Sequence, residues 1–141
     1  MIVGFTGTRA GMTEAQKKVV ARLLEEHKPS EVHHGDCIGA DAQFHQIAGN
    51  IPIVGHPASE VGEQRAFCLN FSRIHESKPP LERNRDIVTA SDIMIATPKE
   101  SREVLRCQSF NAVRGAIASQ RDRVRLWAEP IIGAGAMVSS L

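Results

Sequence analysis

The sequence predicts an α/β domain with a mainly parallel sheet of about five strands. Short apolar runs rich in β-formers alternate with segments of helical periodicity, the pattern of strands joined by crossover helices. The first of these runs, Ile2 to Thr6, is short, apolar and rich in β-formers, and it ends at Gly7, as suits a buried parallel strand. A length of 141 residues matches one core, so the chain is read as one domain spanning 1–141.

The elements follow in order. After the first strand, Thr13 and Gln16 have the spacing of a capping box, in which the threonine caps the first turn and the glutamine reaches back. Val19, Val20, Leu23 and Leu24 then mark one face of a helix, and Lys28, Pro29 and Ser30 end it. Glu31 to His34 reads as a second strand. Ala40, Phe44, Ile47 and Ala48 share a face of a second helix, closed by Gly49 and Asn50. Ile51 to Val54 is a third strand. From Pro57 to Pro80 the pattern is lost, and so long a connection implies a function or short elements of its own. Leu81 to Ala90 is the next helix, and Asp92 to Thr97 ("DIMIAT") the fourth strand. A helix from about Ser109 to Ser119 and a strand from Val124 to Ala128 complete the pattern. The tail, 131–141, has no usable periodicity and is expected to be flexible or to join a contact between subunits.

Composition narrows the function classes. Hydrophobic residues at 42% and charged residues at 23% are ordinary for a globular domain. Seventeen basic against sixteen acidic side chains leave a net charge of +1, without the basic surplus that non-specific nucleic-acid binding needs. Aromatic residues at 4%, with no tyrosine, also argue against a platform for single-stranded nucleic acid. Cys37, Cys68 and Cys107 are odd in number and widely spaced, which points to a reducing compartment rather than a disulfide framework. The start, "MIVGFTGTR", lacks the features of a signal peptide, and no segment reaches the roughly 18–20 apolar residues needed to cross a bilayer. A cytoplasmic location away from the membrane is the expectation.

Ligands of open parallel sheets bind beyond the carboxyl ends of the strands, where strand order reverses. The sequence places Thr6, Gly7, Thr8 and Arg9 after the first strand, Gly35, Asp36, Gly39, Ala40 and Asp41 after the second, and Thr97 after the fourth. Gln108 and Ser109 lead into the following helix. Backbone N–H groups at helix starts and glycine turns favour anions, and arginine grips phosphate through two donors. The aspartates can accept hydrogen bonds from sugar hydroxyls, and phosphate with sugar suggests a nucleotide. A second reading stands beside this one: the glycines serve tight packing and the aspartates cap helices. No turn is a strict dinucleotide or P-loop signature.

"PLERNRDIV" adds Arg83, Asn84 and Arg85 directly after two prolines. Residues two apart on a helix diverge by about 200°, so one arginine is expected to hold phosphate and the other to pair with Glu82 or Asp86. His33, His34, Asp36, Cys37 and His45 superficially suggest a metal, but His33 and His34 must point to opposite faces of a strand, and the spacing of a metal site is missing. No metal and no cofactor are expected. Cys37 has no identifiable base beside it and reads as a small filler at the turn.

The stretches "GFTGTR", "HHGDCIGAD", "PPLERNRDIV" and "DIMIATP" resemble the SLOG superfamily, most closely its stand-alone YspA-like group, in the right order from Met1 to about Pro130. The second stretch is also similar to the glycine-rich turn of the DNA-processing recombination mediators. Glu82-Arg83 resembles the motif of the Lonely Guy phosphoribohydrolases. The resemblance implies a Rossmann-like three-layer sandwich that binds a nucleotide across the strand ends through Thr6, Gly7, Thr8, Gly35, Asp36, Gly39, Ala40, Asp41, Arg83 and Arg85. Two departures matter. The Pro-Gly-Gly turn and catalytic glutamate of the phosphoribohydrolases are absent. Cys107-Gln108-Ser109-Phe110 stands where the stand-alone relatives have Ser-Gly-Thr-Trp, so Gln108 replaces a glycine.

Two functions follow as expectations. One is a sensor or sequestering module for a nucleoside phosphate or an ADP-ribose-like molecule. The other is an N-glycosidic hydrolase or phosphoribohydrolase, in which Asp36, Asp41 or Glu82 would stabilise an oxocarbenium-like ribose. DNA binding is the weakest reading. A homodimer or higher homo-oligomer is expected from the apolar tail and from the relatives.

Overall fold

The computed structural model describes residues 1–59, 64–97, 125–128 and 137–139, the last two segments as strands. Its elements in chain order are β1 (Ile2–Gly7), α1 (Glu14–His27), β2 (Glu31–His34), α2 (Ala40–Ala48), β3 (Ile53–Gly55), β4 (Arg73–Ile74), α3 (Pro80–Ala90), β5 (Ile93–Thr97), β6 (Arg125–Ala128) and β7 (Met137–Ser139). They form one sheet in the order β4-β3-β2-β1-β5-β6-β7. Every pairing is parallel except that of β7 with β6.

The five expected strands are all present, and two short ones extend the sheet at its edges. Neither was legible. β4 pairs through only two residues, inside the Pro57–Pro80 stretch that shows no pattern. β7 comes from the tail that lacks periodicity. The expected helix over Ser109–Ser119 falls outside the described residues.

Local chemistry accounts for the boundaries. Thr13 and Gln16 form the capping box in full: Thr13 Oγ1 accepts the Gln16 N–H at 3.1 Å, and Gln16 Oε1 accepts the Thr13 N–H at 3.0 Å. Lys28 closes α1 in the left-handed region at φ 44°, donating its N–H to the Leu24 carbonyl. Pro80 opens α3, where its missing N–H costs nothing.

The strands alternate between two helical layers. Val3, Phe5, Val32, Ile53, Ile93 and Ile95 join Val20, Leu23, Leu24 and Phe44 in one buried cluster beneath α1 and α2. Phe5 and Phe44 stack with ring centroids 4.2 Å apart. The opposite face meets α3. There Gly4 leaves room for the helix, since an added Cβ would lie 2.3 Å from Ser91 Oγ and 2.4 Å from Met94 Sδ. Helices thus cover both faces of the sheet.

Strand order reverses beside β1. The chain steps outward from β1 through β2 and β3 to β4, then crosses back by α3 to β5 on the other flank. The crevice between the carboxyl ends of β1 and β5 is the topological switch point of the sheet.

Candidate functional site

Four segments reach the carboxyl edge near that crevice: Gly7–Arg9 after β1, Gly35–Asp41 after β2, Thr97 at the end of β5, and the start of α3. The first two interlock. The Thr8 carbonyl accepts the N–H groups of Gly11 and Ala40, and the Thr8 N–H donates to the Thr97 carbonyl. Gly39 has φ 86°, and a Cβ there would sit 2.3 Å from the Arg9 carbonyl oxygen. No other residue type fits that contact without moving backbone.

The turn after β2 is filled by the protein itself. Arg83 is buried, and its Nη1 donates to the Gly35 carbonyl at 2.9 Å and to the His56 carbonyl at 3.1 Å. Its Nε donates to Asn84 Oδ1 at 2.8 Å. A Cβ on Gly35 would lie 2.1 Å from Arg83 Nη1, so the glycine makes room for a guanidinium. Arg83 therefore ties α3 to the ends of β2 and β3. Arg85 points away and is exposed, and Glu82 and Asp86 face Lys78, Asp86 at 2.6 Å and Glu82 at 4.0 Å. The expected pairing of an arginine with Glu82 or Asp86 gives way to this lysine.

Both aspartates are buried and both have protein partners. Asp36 sits in the left-handed region at φ 53°. Its Oδ2 accepts Arg65 Nε at 3.0 Å and its Oδ1 accepts the Cys68 N–H at 3.0 Å. Asp41 Oδ2 accepts the N–H groups of Gly35 and Cys37, each at 3.1 Å. Burial pushes the Asp41 carboxyl up to about 6, against the opposing pull of Arg83 and of those two N–H groups. Burial also raises the Cys37 thiol, which keeps it protonated and a poor nucleophile.

The crevice itself is different. Gly7 faces it, and a Cβ there would meet the Ala40 methyl at 2.4 Å and Thr97 Oγ1 at 2.5 Å. Among the described residues, Thr97 Oγ1 is buried without a hydrogen-bond partner. Asn84 Nδ2, on the other side of the sheet edge, is buried and has no partner among the described residues either. Because Arg83 Nε can only donate, the carbonyl oxygen of Asn84 must face it, which leaves the NH₂ as the open group. Buried polar atoms are nearly always paired, so two open ones at one edge need an explanation. α2 starts close by with no side-chain cap at Gly39; the Ala40 N–H goes to the Thr8 carbonyl, and the N–H groups that follow it in the first turn face the edge for an anion.

Of the sequence-derived candidates, Thr6, Gly7, Thr8, Arg9, Gly35, Asp36, Gly39, Ala40, Asp41, Arg83, Asn84 and Thr97 all come to this carboxyl edge. Arg85 and Glu82 lie on the exposed side of α3, and Gln108 and Ser109 fall outside the described residues. Sequence reasoning missed Arg65 and Cys68, which bind Asp36 from 29 and 32 positions away, and His56, whose carbonyl accepts Arg83. No local signal marks them.

Histidines cluster beside the turn, where His34 Nδ1 accepts the Asp36 N–H at 3.0 Å. His33 Nδ1 lies 2.7 Å from His56 Nε2, and its Nε2 lies 2.6 Å from Glu31 Oε1. His34 lies 2.9 Å from His45, on the other face. Burial holds the rings of His34 and His56 down to about 3. Among the described residues, no group of three or more histidine, cysteine or acidic side chains could hold a metal ion.

Helices on both faces of a parallel sheet and a reversal of strand order beside β1 decide the architecture. The fold is Rossmann-like. Solved structures share it. The molybdenum cofactor binding protein of the phototrophic bacterium Rippkaea orientalis matches with a TM-score of 0.62 at 18% identity, over 91% of this chain and 76% of its own. The structural-genomics target TM1055 matches with a TM-score of 0.60 at 16% identity, over 83% of this chain and 68% of its own. At such identities the Rossmann-like likeness concerns the fold alone. No family model matches the sequence, and no curated protein does. Among the described residues, no helix is long and apolar enough to cross a membrane.

Proposed function

We propose that this chain is a SLOG-type module that binds a nucleotide or nucleotide-derived ligand, such as a nucleoside phosphate or an ADP-ribose-like molecule, as a sensor or sequestering protein. The observation that carries the reading is the pair of buried, unpartnered polar groups at the carboxyl edge, Thr97 Oγ1 and Asn84 Nδ2. One can accept and donate and the other donates, the set that ribose hydroxyls and phosphate oxygens would satisfy. The uncapped start of α2 supplies N–H groups for the phosphate. That a cofactor-binding protein shares the fold is in keeping with a small-molecule ligand here. Self-association of the subunits belongs to the same reading.

Binding without turnover is favoured over N-glycosidic hydrolysis by the state of the carboxylates. Both oxygens of Asp36 and one of Asp41 already accept protein donors. Glu82 is exposed beside Lys78. Neither Asp36 nor Glu82 stands ready at the crevice to face a developing ribose cation, and Asp41 has a single oxygen left for it.

Mass spectrometry under native and then denaturing conditions, after incubation with nucleoside monophosphates, NAD and ADP-ribose, tests this. An intact bound nucleotide with no free base is the expected result. If no member of the panel binds, the reading fails. Free base and ribose phosphate accumulating with time would make the chain a hydrolase.

A further inference from the structure

The stretch 64–68 is held against the turn after β2 by four hydrogen bonds. The Ile38 N–H donates to the Gln64 carbonyl and the Ala66 N–H to the Asp36 carbonyl, each at 2.8 Å. Arg65 Nε and the Cys68 N–H take the two oxygens of the buried Asp36 carboxylate. The one side chain in this stretch left projecting is Phe67, 61% exposed although it is flanked on both sides by anchored residues. Its backbone is left-handed at φ 52°, a conformation that bulky residues adopt rarely. Arg65 lies over the ring, its Cζ 4.5 Å from the centroid, so one face of the phenyl group is braced by a cation and the other is open.

A buried carboxylate with both oxygens committed to an external loop, and a strained aromatic as the product, is an arrangement that packing does not require. Phe67 contributes nothing to the buried core. What it does have is position. The 64–68 stretch borders the carboxyl end of β2, two strands from β5 and its buried Thr97 hydroxyl. At roughly 5 Å per strand that separation is roughly 10 Å, the reach of a nucleoside from its phosphate to its base.

We infer that Phe67, backed by Arg65, is the base platform of the site: a planar aromatic base stacks on its free face while the sugar and phosphate lie toward Thr97. This rests on the nucleotide reading above and adds to it the group that separates a nucleotide from a bare sugar phosphate. Asp36 acts here as a positioning residue, setting the ring through Arg65 and Cys68.

Titration calorimetry with adenosine monophosphate and with ribose 5-phosphate, on the wild type, Phe67→Ala and Phe67→Trp, tests it. Stacking on an aromatic ring is worth roughly a tenfold gain in affinity or more. Phe67→Ala should weaken the nucleotide by about that factor, leave ribose 5-phosphate unchanged and keep the wild-type melting temperature. Phe67→Trp should restore nucleotide binding, with the new indole quenched on titration. Equal loss for both ligands, or no loss for either, overturns the platform while the nucleotide reading stands. A Phe67→Ala change confined to subunit association also overturns it, assigning the ring to a subunit contact. If the wild type binds neither compound nor any other nucleotide of the panel, the nucleotide reading fails and the platform with it.

Discussion

Two neighbouring places on the carboxyl edge use the same small residues to opposite ends. At the turn after β2, the space left by Gly35 is filled by Arg83, the space left by Gly39 by the Arg9 carbonyl, and both aspartates are bonded to the protein. At the crevice between β1 and β5, Gly7 stands beside a hydroxyl that no described residue satisfies. A glycine in a strand-to-helix turn therefore does not by itself announce a ligand. What separates the two cases is whether the polar atoms around it have partners.

Substitutions can break this contrast, and the largest effect belongs to the filled turn. Gly39→Ala needs a left-handed backbone and pushes a methyl into backbone that cannot yield, so it should cost about 3 kcal/mol or more, read as the midpoint of urea unfolding. Arg83→Met comes next. It leaves the buried carbonyls of Gly35 and His56 without a donor, at a cost of about 2–3 kcal/mol in the same assay. An unchanged midpoint for either variant would mean the turn is not packed as described.

The pH dependence separates the turn from the histidine cluster beside it. His34 and His56 are held down to about 3. Their unfolded forms, at 6.5, take up protons first as pH falls, so the stability they contribute is full above pH 6.5 and lost progressively down to about 3. That amounts to roughly 1 kcal/mol per histidine over the first unit below 6.5. Asp41 runs the other way. Its carboxyl is raised to about 6, so folding gains as pH drops from 6 toward the unfolded value near 3.8, offsetting part of the loss. Melting temperatures from pH 7 to 5 should fall. Asp41→Asn should steepen that fall by removing the offset.

The smallest effect on stability sharpens the comparison most. Thr97→Val deletes a buried hydroxyl that has no partner, so unfolding should shift by less than about 1 kcal/mol, toward greater stability. Affinity for a nucleoside phosphate should drop in the same variant. A clear loss of stability would show that the hydroxyl has a partner in the free protein.

Much of the fold was readable from local pattern, and much of the site was not. The capping box of Thr13 and Gln16, the strand runs, and the opposite orientation of His33 and His34 all depend on residues a few positions apart. The turn "GDCIGAD" was correctly placed at the carboxyl edge, yet its chemistry depends on distant partners: Arg83 reaches Gly35 across 48 positions, and Arg65 reaches Asp36 across 29. Nothing in the periodicity of either segment records such a pairing. β4 escaped notice for a related reason, since two residues are too few to show a period of two. Charge alone was also misleading at "LERNRD". The carboxylates there turn to Lys78, which precedes the helix.

The place of β1 has a consequence for synthesis. It is the earliest strand of the sheet, yet it lies between β2 and β5, and its Ile2 N–H and carbonyl both bond to Asp92. As the chain leaves the ribosome, β1 can acquire β2 and β3 on one side within some fifty residues. Its other edge then stays bare until the Ile93–Thr97 segment is translated and α3 has swung across. For that interval the nascent protein displays the unpaired backbone edge of a largely apolar strand, the surface on which neighbouring chains aggregate. Slower translation between α2 and α3 would lengthen that exposure, and a chaperone that shields strand edges would shorten it.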